Sequence, residues 1–143
     1  MKKLAIILAL AALLASCAAP QVEIAHTETE EKAMILKIGG EAVAVEWENN
    51  ESVRALAALC PLEIDMRMYG GFEQVGSIGK RIARSDEETV TSPGDIVLYS
   101  GNQIVIFYGS NEWAYTRLGH ITGKTAAELT ELLGKGDVTI ALE

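Results

Sequence analysis

The sequence has few of the residues that build metal clusters or disulfide frameworks. Its 143 residues include two cysteines and two histidines, too few for a zinc ribbon, an iron–sulfur cluster or a disulfide-stabilised fold. Basic residues are also scarce, 12 against 20 acidic ones, and the formal net charge is −8. A chain this acidic repels a phosphate backbone, so we do not expect nucleic acid as a partner. We expect neither a metal nor another cofactor.

The chain begins with the pattern of an export signal. Lys2 and Lys3 precede an uncharged apolar run over residues 4–14. A helix that crosses a bilayer needs about 20 apolar residues, so this shorter run predicts the h-region of a secretory signal over residues 1–16. Residues 14–17, Leu-Ala-Ser-Cys, have the pattern of a bacterial lipobox, in which the cysteine thiol receives a diacylglyceryl group. We therefore expect a lipoprotein anchored to the membrane through Cys17.

The segment that follows predicts a tether and a location. Residues 17–32 are acidic and show no apolar periodicity, which is typical of a linker between a lipid and a folded domain. The folded domain is then expected over residues 33–143. The protein would be exported to the cell envelope. Because Ala18 is not the aspartate that retains a lipoprotein in the inner membrane, the outer membrane is the expected destination in a cell with two membranes.

From residue 33 onward, short β-prone runs are separated by glycine-containing turns. Two hairpins are predicted, 34–38 with 42–47 around Gly39-Gly40 and 96–100 with 103–108 around Gly101-Asn102. Unbroken alternation predicts one strand over 62–68, and further strands are expected over 113–118 and 137–142. Residues 69–76 hold three glycines and two aromatic residues, and we expect them to form a loop at the edge of a cleft or at a tight corner.

Two short helices complete the predicted elements. Asn49 or Asn50 can cap a helix from Ser52 to about Leu59, with Pro61 ending it. Thr125 and Glu128 predict a capping box for a second helix over 126–133, which Gly134 ends. About eight strands that do not alternate with long helices indicate a mostly all-β fold. A closed antiparallel barrel or a sandwich is the expected architecture.

Three blocks of sequence, in this order, are similar to a known family. They are residues 69–76 (Tyr-Gly-Gly-Phe-Glu-Gln-Val-Gly), 93–99 (Pro-Gly-Asp-Ile-Val-Leu-Tyr) and 102–119. Together they resemble the small bacterial cyclophilin-like family over roughly residues 33–143. The resemblance implies a closed, eight-stranded cyclophilin-like β-barrel whose ends are closed by two short helices. It leaves enzyme activity uncertain, since the blocks that carry the catalytic groups of true cyclophilins are not recognisable here.

Aromatic and polar side chains within these blocks are the candidates for a ligand-binding cleft. Arg117 beside aromatic rings is the only group able to imitate the arginine of an isomerase, and its spacing from Trp113 and Tyr115 places the three on one face of a strand. Glu73 is expected to form an ion pair with Arg117 or Arg67, or else to be available to a ligand amine. The full set is Tyr69, Phe72, Glu73, Tyr108, Trp113, Tyr115 and Arg117.

Three functions follow as hypotheses. The first is a lipid-anchored module that binds a small molecule or a peptide segment in this cleft without catalysis. The alternative is a peptidyl-prolyl cis-trans isomerase of the cell envelope, which would bind the twisted form of a proline amide better than either planar form. A purely structural lipoprotein would have no cleft at all.

Overall fold

The structure, a computed structural model, describes residues 33–143. The export signal, the lipidation site at Cys17 and the tether predicted for residues 1–32 lie outside the described residues. The elements in chain order are β1 (Leu36–Ile38), β2 (Glu41–Val43), β3 (Val45–Trp47), α1 (Glu51–Ala57), β4 (Leu62–Asp65), β5 (Arg67–Tyr69), β6 (Glu73–Ser77), β7 (Glu87–Val90), β8 (Asp95–Tyr99), β9 (Gln103–Phe107), β10 (Glu112–Ile121), α2 (Ala126–Leu133) and β11 (Thr139–Leu142).

The strands form two antiparallel sheets. The small sheet has the order β2-β1-β11-β4, and the large sheet has the order β3-β10-β8-β9-β6-β5, with β7 also paired to β10. The prediction of a mostly all-β fold with two short helices is confirmed.

The main core is aliphatic and joins the two sheets. Leu36 and Ile140 come from the small sheet, while Ile96, Ile104 and Leu118 come from the large one, and all five are fully buried. Helix α1 adds Leu56 and helix α2 adds Leu129 and Leu133 to the same cluster. One face of the large sheet is therefore covered by the main core, and its second face lies outside that core.

The predicted turns and caps are present. Strands β1 and β2 pair on either side of Gly39-Gly40, and β8 pairs with β9 through the turn that contains Gly101. The Asn50 side chain accepts a hydrogen bond from the Val53 N–H at 2.9 Å and caps α1. At α2 the Thr125–Glu128 capping box is complete. These features are local, and the sequence alone specifies them.

Two predicted strands are each divided in two. Residues 42–47 separate at Ala44 into β2 and β3, and residues 62–68 separate at Met66 into β4 and β5. In both cases the first half pairs in the small sheet and the second half in the large sheet. The alternation of apolar residues continues through each bend, because it depends on which side chains face the interior. It does not depend on which strand is the hydrogen-bonded neighbour.

The closed, eight-stranded barrel is not confirmed. Over residues 33–143 eleven strands pair into two sheets whose strand orders do not close into a ring. The higher count comes partly from the two divided strands. It also comes from β6, which occupies the second half of the segment that was expected to be a loop, and from β7, for which no strand was predicted.

Candidate functional site

The second face of the large sheet carries a small aromatic cluster. Register places Tyr69 opposite Glu73 and Glu73 opposite Phe107, so these three side chains share this face. Phe107 stacks on Phe72 with ring centroids 6.5 Å apart and meets Tyr115 edge-on at 5.7 Å. The cluster as a whole consists of Val97, Val105, Phe107 and Tyr115, with Phe72, Val75 and Tyr99 packed against it.

The turn between β5 and β6 brings Phe72 onto this face. Gly70 and Gly71 both have positive φ, 63° and 73°, a conformation that glycine adopts at little cost. The Phe72 carbonyl oxygen then accepts hydrogen bonds from the backbone N–H groups of Tyr108 and Gly109, at 3.0 and 2.9 Å. A Cβ at Gly109 would lie 2.7 Å from the Phe72 Cβ, so this close approach requires a glycine.

A cavity opens beside the cluster. Its volume is about 330 Å³, which is within the range of small-molecule sites. Tyr69 and Trp113 are the most exposed aromatic side chains around it, at 66% and 57% of their full accessible surface. Its lining consists of Tyr69, Glu73, Val75, Tyr99, Gln103, Val105, Asn111, Trp113 and Tyr115. We call this cavity the aromatic pocket.

Glu73 is the one acidic residue in the lining of the aromatic pocket, and it is buried. Only 7% of its surface is accessible, and its Oε2 atom has no hydrogen-bond partner among the described residues. Burial without compensation disfavours the charged form and raises the pKa of the Glu73 carboxyl from its ordinary value of 4.5 to about 7. Near neutral pH this carboxyl can therefore hold or release a proton.

Asn111 and Tyr115 form a fixed polar wall. The Asn111 backbone N–H donates to Thr91 Oγ1 at 2.9 Å, and the Thr91 hydroxyl donates to the Asn111 carbonyl oxygen at 3.0 Å. The Asn111 side-chain amide donates to the Tyr115 hydroxyl at 2.9 Å. Burial raises the pKa of Tyr115, and the nearby charge of Glu73 adds to this rise, while the hydrogen bond from Asn111 opposes it.

Arg117 lies elsewhere, so the expected ion pair with Glu73 is wrong. Its Nη1 is 3.3 Å from Asp95 Oδ2, and its Nη2 donates to the Val90 carbonyl oxygen at 3.2 Å. Arg67, the other expected partner, is exposed and forms no ion pair with Glu73 within the described part of the chain. Asp95, at the start of β8, takes the place that the sequence analysis gave to Glu73.

A second depression also includes Tyr115. It has a volume of about 400 Å³ and is lined in addition by Thr116 and Arg117. The Thr116 hydroxyl donates to Asp86 at 2.7 Å, and the Ser85 N–H donates to Thr116 Oγ1 at 2.9 Å. Among the described residues, no buried polar atom without a hydrogen-bond partner belongs to this lining, whereas the aromatic pocket contains the Glu73 carboxyl.

Four of the seven sequence candidates meet in the aromatic pocket, namely Tyr69, Glu73, Trp113 and Tyr115. Phe72 packs in the aromatic cluster next to it. Tyr108 belongs to the main core, and Arg117 to the second depression.

Sequence reasoning missed the remaining lining residues, Val75, Tyr99, Gln103, Val105 and Asn111. The near-continuous apolar runs of β8 and β9 could have indicated some of these residues. Strands that are apolar on both faces are usually buried on both, so side chains were to be expected on the second face as well. The polar Gln103 within such a run is a further indication.

No three His, Cys, Asp or Glu side chains are grouped as a metal site within residues 33–143. No helix in this part of the chain has the length and apolar character needed to cross a membrane.

The chain belongs to the cyclophilin-like family, whose model matches residues 36–143. The resemblance inferred from the three sequence blocks is thereby confirmed. No curated protein matches the sequence.

Two solved structures have a similar fold. One is the solution structure of the hypothetical protein AF2241 from Archaeoglobus fulgidus, with a TM-score of 0.57 and 19% sequence identity, covering 77% of this chain and 92% of that one. The other is the structure of McbB in complex with tryptophan, with a TM-score of 0.57 and 14% identity, covering 77% of this chain and 44% of the McbB chain. At these identities the likeness concerns the fold alone.

Proposed function

We propose that this protein is an envelope-anchored binding module that holds a small molecule or a peptide segment in the aromatic pocket. The observation that carries the proposal is a concave, aromatic-walled cavity with a buried and unpartnered Glu73 carboxyl in its lining. Ligand sites typically combine mostly apolar walls with a few placed polar groups. A purely structural role gives no reason to bury an acid beside an open cavity.

Binding without chemical turnover is the activity that this lining supports. It contains no serine, threonine, cysteine, lysine or histidine, so it has no Ser–His or Cys–His pair of the kind that acyl-transfer hydrolases use. The isomerase alternative needs an arginine beside the aromatic rings, and the Arg117 guanidinium is held by Asp95 and Val90. We therefore favour binding over isomerisation.

The anchoring half of the proposal rests on the sequence. The order of Lys2 and Lys3, the apolar run 4–14 and the lipobox ending at Cys17 supports lipidation in a bacterial host. Residues 17–32 would then tether the domain to the membrane surface. The test is metabolic labelling with radioactive palmitate: the full chain should be labelled and the Cys17→Ser variant should not. An unlabelled full chain would refute the anchor and leave the pocket unaffected.

The binding half is tested by ligand capture. The full protein is purified from bacterial membranes in mild detergent, and retained small molecules and peptides are identified by mass spectrometry. Trp113→Ala removes an exposed pocket wall, and Val90→Ala, at an equally exposed position outside the pocket lining, is the matched control. We expect a retained species with the wild type and Val90→Ala that is depleted with Trp113→Ala. Equal retention by all three would contradict the proposal.

A further inference from the structure

We propose that the ligand of the aromatic pocket is a small organic cation, an amine whose ammonium N–H donates to the Glu73 carboxylate while its apolar body lies against the aromatic rings. This inference rests on the proposed binding function and names the chemical class of the ligand.

The charge of the site is the first argument. Glu73 is the one charged side chain among the lining residues, so it gives the cavity a negative group and no positive one. Its buried Oε2 accepts no hydrogen bond from residues 33–143, and leaving such an atom unsatisfied is costly. A ligand with a positive charge and N–H donors, bound at the Glu73 carboxyl, offsets the cost of keeping this group ionised.

The neighbours of Glu73 do not supply that charge. Arg117 is occupied by Asp95 and the Val90 carbonyl oxygen. Arg67, which lies opposite Val75 in the β5–β6 register, makes no ion pair with Glu73 among the described residues. The other lining residues carry neutral phenol, indole, amide and valine side chains. An anionic ligand would meet a carboxylate and no cation within the lining.

The aromatic walls are the second argument, and they are independent of the carboxyl. Tyr69 and Trp113 remain largely exposed at the pocket although apolar rings are normally buried. Tyr99 and Tyr115 meet edge-on at 6.1 Å in the same lining. Aromatic faces attract cations as well as apolar groups. The carboxylate suits an ammonium group, and the aromatic rings suit the apolar body to which that group is attached.

The test compares three probes that share a phenylethyl body and differ in charge at pH 8, using the full protein in detergent and titration calorimetry. Phenethylamine is cationic, 2-phenylethanol is neutral, and 3-phenylpropanoate is anionic. We expect phenethylamine to bind at least tenfold more tightly than 2-phenylethanol, with no detectable binding of the anion. Glu73→Gln keeps the shape of the side chain and should weaken phenethylamine at least tenfold while changing 2-phenylethanol less than twofold.

The control is Glu112→Gln, which removes one negative charge from an exposed position on β10 outside the pocket lining and should change phenethylamine affinity less than twofold. If 2-phenylethanol binds as tightly as phenethylamine, the pocket binds ligands but not by charge; the inference is then overturned and the proposed function stands. If none of the probes binds at millimolar concentration, the inference is overturned and ligand capture decides the proposed function separately.

Discussion

Two buried acids on the same sheet, Glu73 and Asp95, are in opposite situations. Each exposes less than a tenth of its surface, 7% and 5% respectively. Asp95 accepts a hydrogen bond from the Ser92 N–H at 2.8 Å, lies 2.8 Å from His120 Nδ1 and pairs with Arg117. Glu73 has an oxygen without any such partner in the part of the chain described. The sheet stabilises one acid and leaves the other available.

The pKa values shift in opposite directions for this reason. Burial alone would raise the pKa of Asp95, but the hydrogen bond from Ser92, the contact with His120 and the charge of Arg117 together lower it below its ordinary value of 3.8. For Glu73 burial acts alone and raises the pKa to about 7. Compensation by neighbours, not depth of burial, decides whether a buried carboxyl is structural or available to a ligand.

The largest expected effect comes from breaking the Asp95 network. Asp95→Ala leaves Arg117, His120 and the Ser92 N–H without their shared acceptor. Because the Arg117 and His120 side chains are nearly half exposed, the cost is that of lost hydrogen bonds to a charged group, about 3 kcal/mol. We expect a loss of this size in the free energy of unfolding at pH 7, measured by denaturant titration. In the wild type, the stabilisation due to Asp95 is present above about pH 3.8 and is lost as the pH falls through its lowered pKa. Unchanged stability would show that the network is weak.

The next largest effect has the opposite sign and comes from Glu73→Gln. The folded protein holds the Glu73 proton more tightly than the unfolded chain, so the wild type loses stability as the pH rises from about 4.5 to about 7. At about 1.4 kcal/mol per pKa unit the full shift corresponds to about 3.5 kcal/mol. Solvent access through the open pocket reduces this figure, so we expect the variant to be about 2 kcal/mol more stable than the wild type at pH 8, and equal to it at pH 4.

The measurement is the free energy of unfolding of the wild type and of Glu73→Gln as a function of pH. The difference between the two proteins assigns the pH dependence to Glu73. Glu73 is the one carboxyl in the lining, which otherwise presents the phenols of Tyr69, Tyr99 and Tyr115, the indole of Trp113, the amides of Gln103 and Asn111, and two valines. A difference that does not change with pH would contradict the raised pKa.

A smaller effect separates Arg117 from the aromatic pocket. Arg117→Ala removes one of several partners of Asp95, so we expect a loss of about 1 kcal/mol in the free energy of unfolding. Phenethylamine affinity should change less than twofold, since Arg117 is not in the pocket lining. A tenfold loss of affinity with unchanged stability would restore the sequence-based hypothesis that Arg117 belongs to the cleft.

The smallest expected effect on stability is that of Trp113→Ala. Because 57% of this side chain is already exposed, its removal should change the free energy of unfolding by less than about 0.5 kcal/mol. Thermal unfolding of the variant beside Val90→Ala measures this. A large loss for Trp113→Ala alone would mean that its effect on ligand capture reflects unfolding.

Local sequence patterns predicted many of the helices, strands and turns of this fold, but not how the strands are placed relative to one another. The caps at Asn50 and Thr125 and the hairpin at Gly39-Gly40 depend on neighbours in sequence, and all three are present. The bends at Ala44 and Met66 depend on which sheet each half-strand joins, and residue alternation does not encode that choice. The strand order could not be predicted for the same reason, and neither could the finding that the two sheets do not close into a ring.

The candidate site shows the same limit. Glu73 stood out because it interrupts a segment of glycine and aromatic residues, and the structure places it in a pocket with Tyr69, Trp113 and Tyr115. Its partner was wrongly expected to be an arginine. The pairing of Asp95 with Arg117 depends on β8 lying beside β10, a contact between residues far apart in the chain. Residue types alone do not show that Asp95 and Glu73 compete for Arg117, so they could not predict which acid forms the ion pair.

The most direct test of the central claim is a carbon-13 NMR titration of the Glu73 carboxyl in the full protein, with the signal assigned by its loss in Glu73→Gln. We expect a midpoint near pH 7 in the ligand-free protein and a lower midpoint with phenethylamine bound, because the ammonium stabilises the carboxylate. A midpoint near the ordinary value of 4.5 in the ligand-free protein would contradict it, since a carboxyl that ionises there is already solvated or paired.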